Sequence, residues 1–238
     1  MTMTIQPGSS KAVVDPRTRA GLAGLVVSAV LLALGRLMTT PGGGPAERLQ
    51  QMSGTDVRVT ASALLTILGF VALVLGLLTV VARIRGRGAT LATVAGGLVA
   101  LGGVGMSVLT AVDLSTLAAT RAGPDSAMRD YLHQLDVSPG ILGLTPVAVI
   151  GYLIGPFLVT LAARRAAFVP RWLPWATLGV LLLQPVAAGA GGPAVTRVVD
   201  AVFQVMLVAL FWVLARCTLA HAEQEGASAG RNGRAPTS

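Results

Sequence analysis

"ATLATVAGGLVALGGVGMSVLTAV", residues 89–112, runs for 24 residues without a charged side chain. As a helix it would be about 36 Å long. The hydrocarbon of a bilayer is about 30 Å thick and takes about 20 apolar residues to cross. Nothing more polar than serine or threonine interrupts the stretch, so it has no wet face to turn to solvent. It reads as a membrane span, and its surroundings decide how many more there are.

Five other runs of the same kind flank it. The six spans are 20–38, 62–83, 89–112, 141–163, 172–190 and 194–217. Only 12% of the residues are charged, against about 25% in soluble domains, and the mean hydropathy is +0.74. The expected fold is all-α, a polytopic bundle of six transmembrane helices. A tail of residues 1–19 precedes the domain 20–219, and 220–238 follows it. That last piece, "HAEQEGASAGRNGRAPTS", lacks large apolar side chains to bury and reads as disordered. The first span follows Lys11, Arg17 and Arg19 as a signal peptide's would, but no small-x-small cleavage site follows it, so it reads as uncleaved.

A net charge of +8 would suit a nucleic-acid partner, but the charges bunch between the spans and no basic face recurs along a soluble element. They follow the positive-inside rule instead. Twelve basic residues fall on one side: Lys11 and Arg17, 19, 83, 85, 87, 164, 165, 171, 216, 231 and 234. Six fall on the other: Arg36, 48, 58, 121, 129 and 197. Both termini are therefore expected in the cytoplasm. Trp172, Trp175 and Trp212 sit near the basic ends of their spans, where aromatic rings favour the interface. Seventeen of the eighteen basic residues are Arg, which with the abundance of Ala, Gly and Val points to a high-GC bacterial genome. The expected location is the bacterial cytoplasmic membrane.

Two outer loops are long, about 39–61 and 113–140. In "DSAMRDYLHQLD", Met128, Tyr131, Leu132 and Leu135 share one helical face and Asp125 or Ser126 can cap the start. A short amphipathic helix on the outer surface is expected there, and "GPAERLQQMSG" is a weaker second case.

In the third span Ala92, Gly96, Ala100, Gly103, Ser107 and Ala111 recur at helical spacing and make one small-residue face. Lipid gives helices no hydrophobic reason to associate, so close backbone approach must supply the attraction. That face should seat a neighbouring helix, with the third span near the bundle centre; a second copy of the chain is the other occupant it fits. Gly151 and Gly155 form a GxxxG in the fourth span, before Pro156, and Pro185 follows Gln184 in the fifth. Prolines break spans at transporter sites and in ordinary spans too.

"TRVVDAVFQVMLVAL", residues 196–210, carries three polar groups on neighbouring turns: Arg197, Asp200 and Gln204. From Pro193 the sixth span is longer than the hydrocarbon, so Arg197 can snorkel and Asp200 can pair with it or with Arg36. Arg36, Asp113, Gln184 and Thr145 fall at similar outer depth. The expectation is an outward-facing polar cluster of Arg36, Asp113, Gln184, Arg197, Asp200 and Gln204. Either it is a hydrogen-bonded network that fixes helix register, or it is a wet vestibule for a small solute or ion.

Chemical machinery is sparse. The single cysteine, Cys217, allows no intrachain disulfide. No span holds a histidine for haem, His133 and His221 lying outside them. "GASAG", 226–230, has no strand before it to build a nucleophile elbow. "PGGGPAE", 41–47, lacks the Lys-Ser/Thr of a phosphate loop. No catalytic residue, metal ligand or cofactor is expected.

A basic tail leads into "RAGLAGLVVSAVLLALG"; the hinge "RIRGRG" follows the second span; and "AARRAAFVPRWLPWATLGVLLL" joins an arginine turn to a new span. This layout resembles the uncharacterised six-helix membrane proteins of high-GC Gram-positive bacteria, a domain-of-unknown-function type of family. The resemblance spans most of residues 18–219 and implies a bacterial membrane protein, with no functional residue to carry over. The function expected is a non-enzymatic accessory or partner-binding component, with the lipid bilayer, a membrane-protein partner or self-association as partners and no nucleic acid. The alternative is a small-solute or ion transporter using the polar cluster.

Overall fold

A computed structural model describes residues 15–38, 56–120, 138–190 and 193–232, with Asp130 and Gln134. Six long helices hold the six apolar runs: α1 (Pro16–Met38), α2 (Asp56–Arg83), α3 (Ala89–Thr120), α4 (Pro139–Arg165), α5 (Leu173–Ala190) and α6 (Pro193–Asn232). A 3-10 turn, Gly86–Gly88, joins α2 to α3. There is no strand among the described residues. Five of the helices are long and apolar enough to cross a membrane; α5 is the shorter one, with 18 residues. The fold is that of an all-α multi-pass membrane bundle.

The helix starts follow local rules. Asp15 caps α1 by accepting from the Arg17 N–H at 3.1 Å, with Pro16 in the first turn. Ser138 caps α4 by accepting from the Ile141 N–H at 3.4 Å, ahead of Pro139. The expected outer helix and the 39–55 part of the first loop lie outside the described residues. Asp130 and Gln134 alone are described there, both helical and exposed.

The helices close into a ring in chain order, α6 packing back against α1. α2 also touches α4 and α6 across the ring, so it stands nearest the middle. This corrects the expectation for the third span: α3 lies between α2 and α4. Its small face at Gly96 and Gly103 does seat a neighbour, α2, whose Leu78, Val81 and Val74 side chains fill the space left by the missing Cβ atoms. A tighter contact lies on the adjacent face. There Gly102 meets Gly151 backbone to backbone, Gly105 meets Ala148, and Gly155 meets Val99. Gly102 and Gly105, beside Gly96 and Gly103, thus equip α3 with small residues on two faces, of which the spacing rule found one.

The tail expected to be disordered from residue 220 is helical through Asn232. Ala, Glu and Gln are good helix formers, and the extension is held by a non-local contact. The ring of His221 stacks on Phe168 of the α4–α5 connection, centroids 4.8 Å apart, and Ala222 is buried. His221 Nε2 also lies 3.5 Å from Glu225 Oε1, one turn on.

That connection begins with a Schellman cap. The Ala167 N–H donates to the Arg164 carbonyl and the Phe168 N–H to the Ala163 carbonyl. Ala167 has φ 64°, a left-handed conformation costing an L-residue roughly 1–2 kcal/mol. Ala167→Gly should therefore stabilise the chain by about 1 kcal/mol, read as a higher detergent-unfolding midpoint. An unchanged or lower midpoint would refute the strain at this cap.

Candidate functional site

Antiparallel packing carries the polar residues of alternate helix ends to one end of the ring. α2 folds back on α1 there: the Ser62 hydroxyl donates to the Gly35 carbonyl at 2.8 Å in a buried position, and Arg58 Nη2 donates to the Leu37 carbonyl at 3.3 Å. The carbonyls at the end of a helix have no intrahelical partner, and these two side chains supply donors to that last turn. Sequence reading passed over both. Ser62 opens an apolar run and looks like filler; only the position of α1 reveals its acceptor.

Arg36 stands exposed at the same end of α1. Asp200 is half-buried on α6, and Gln204 lies one turn deeper on the same face. Gln204 is only 7% exposed, and its Oε1 has no hydrogen-bond partner among the described residues. Asp113, Gln184 and Arg197 fall within α3, α5 and α6; their side chains lie outside what is described. Thr145 does not join the group, because its hydroxyl is spent on the Ile141 carbonyl of its own helix, at 2.8 Å. The packing residues behave as described above, with Ala100 and Ser107 half-buried and the Ser107 hydroxyl bonded to the Gly103 carbonyl at 2.8 Å.

The opposite end is basic and aromatic. Arg83 Nη2 donates to the Thr18 hydroxyl, closing α2 on the start of α1. Trp172, Trp175 and Trp212 are all exposed; Phe157 packs against Trp175 at 6.0 Å, and the Arg216 guanidinium lies 5.7 Å from the Trp212 ring centre. Arg17, 19, 85, 87, 165 and 171 are exposed around them.

The chain is therefore a multi-pass helical membrane protein with a polar end, a basic aromatic end and a glycine-rich seam between α3 and α4. Comparison with protein-family models, with curated proteins and with solved structures gives no match.

Proposed function

We propose that the chain is a six-span protein of the bacterial cytoplasmic membrane, with both termini in the cytoplasm, of the uncharacterised high-GC Gram-positive type. Its role is that of a non-enzymatic component that holds a partner helix within the bilayer. The topology is supported by the gathering of arginines and tryptophans at the end where α1 begins and α4 finishes. Cysteines introduced as Ser126→Cys and Glu223→Cys, in a Cys217→Ser background, test it with an impermeant thiol reagent on whole cells. Labelling at 126 alone is expected; labelling at 223 alone would reverse the orientation.

The role is supported by the outer half of α4. Between Gly140 and Ile150 only Ala148 is buried. Gly143, Val147, Ile150 and Ile154 form one exposed stripe, with nothing within 4 Å of a Cβ built at Gly143. A small residue within an apolar stripe lets a second backbone come close. A photo-crosslinking residue at Val147 or Ile150 should give a discrete protein adduct in cells, while one at the more exposed Val205 should give none. The same adducts at all three positions, or none at any, would sink the reading; an adduct of twice the chain's mass would make the partner a second copy.

A second reading rests on Gln204. An amide oxygen buried one turn below Asp200, with no partner among the described residues, suits a small solute or cation entering from the polar end. Gln204→Cys, labelled alongside the same controls, separates the two. Rapid labelling means that water reaches the cluster, and protection means a dry core.

A further inference from the structure

We infer that the two arginine-bearing turns at the basic end, 84–88 and 164–171, form one docking surface for the headgroup of an anionic phospholipid. In sequence they are separate loops, about eighty residues apart. Gly88 joins them. It is buried, and a Cβ there would stand 2.6 Å from the Ala162 carbonyl oxygen, so its lack of a side chain lets the 3-10 turn lie directly on the last turn of α4. Gly86, at φ +70°, reverses the chain, and buried Ile84 pins the turn to the core. Arg85 and Arg87 are exposed on this turn, and the last turn of α4 carries half-buried Arg164 and exposed Arg165. Beyond the cap at Ala167 the chain adds exposed Arg171.

The helices that carry these five arginines offer no carboxylate to neutralise them. No acidic residue lies between Asp56 and Asp113, or between Asp136 and Asp200. At the same end Asp15 caps α1, Glu225 lies beside His221 on α6, and Glu223 is exposed on the same helix. The five arginines outnumber these three carboxylates, so a partner that brings negative charge fits the surface. Trp172 and Trp175, next to Arg171, set the depth: exposed indole rings favour the boundary between headgroup and acyl chain, which leaves the guanidinium groups at phosphate level. Guanidinium forks match phosphate oxygens in geometry, and basic pockets between helices at this depth suit anionic headgroups. An acidic protein would satisfy the charge but has no need of exposed tryptophans at that level. The inference rests on the chain lying in a bilayer and is independent of any partner on α4.

The test uses the full chain in detergent micelles, titrated with phosphatidylglycerol or phosphatidylcholine, with bound lipids counted by native mass spectrometry. The wild type should bind phosphatidylglycerol at least about tenfold tighter than phosphatidylcholine. Arg85→Gln with Arg87→Gln should weaken phosphatidylglycerol binding by roughly thirtyfold, at about five- to sixfold per arginine. Arg17→Gln with Arg19→Gln removes the same charge from exposed positions on α1 and should change it less than about threefold. Arg85→Lys with Arg87→Lys should keep the preference for phosphatidylglycerol and lose less affinity than the Gln pair, because lysine keeps the charge but not the fork, and this separates charge from misfolding. Equal losses from the two Gln pairs would reduce the effect to diffuse charge and overturn the site. So would equal affinity for the two lipids, or Arg85- and Arg87-dependent binding of an acidic peptide without any lipid preference.

Discussion

Gly151→Val should lower the stability of the bundle by about 3 kcal/mol, the upper end of what overpacking a core costs. A Cβ at Gly151 would stand 2.6 Å from the Leu98 carbonyl oxygen and 2.7 Å from the Gly102 nitrogen. Both atoms are backbone, so no side chain can rotate out of the way. The two helices must move apart by most of an ångström. A gap of about 0.5–1 Å forfeits a quarter to a half of each dispersion contact along the seam, and in lipid no hydrophobic drive compensates. Gly97→Ala and Gly143→Ala are the controls. Nothing lies within 4 Å of a Cβ at either position, and removing glycine from a helix gains up to about 1 kcal/mol. Unfolding by a denaturing detergent, followed by circular dichroism, reads all three. If Gly151→Val unfolds with the controls, the α3–α4 contact is looser than described.

Gln204→Leu should raise stability by about 1–3 kcal/mol. A buried acceptor left without a partner costs that much, and leucine is apolar and of similar length. Gln204 sits between Phe203 and Leu207, both buried, so an apolar side chain meets neighbours of its own kind. The same detergent titration decides the sign. A loss of more than about 1 kcal/mol would mean that the native amide is satisfied by a water or solute that the protein holds. It would favour the solute-binding reading, as rapid labelling at 204 would.

These two residues also mark how far the sequence could be read. Gln204 was visible as a polar residue deep in a span, and the expectation placed it either in a hydrogen-bonded network or in a wet vestibule. Which groups face it is set by how α1, α2 and α5 pack against α6, and a single span does not reveal that. Gly151 was visible as part of a GxxxG. Its counterpart Gly102 was not, because the small-residue rule was applied to one face of a helix that has two. The tail failed for a different reason. Composition argued that it had nothing large to bury, and the ring that holds it, Phe168, belongs to another part of the chain.

The sequence by itself determined the all-α character, the long apolar helices and the excess of arginine at one end. In hydrocarbon each segment must satisfy its own backbone hydrogen bonds, so length and hydropathy decide each one locally. Tertiary structure alone decided that the helices close into a ring, that α2 stands nearest the middle and that two distant arginine turns share a surface. Those outcomes turn on close backbone approaches at Gly88, Gly102 and Gly151, where an added Cβ would stand 2.4–2.6 Å from a facing backbone atom. Many pairings of apolar helices offer nearly equal attraction, and the fit of particular backbones selects among them.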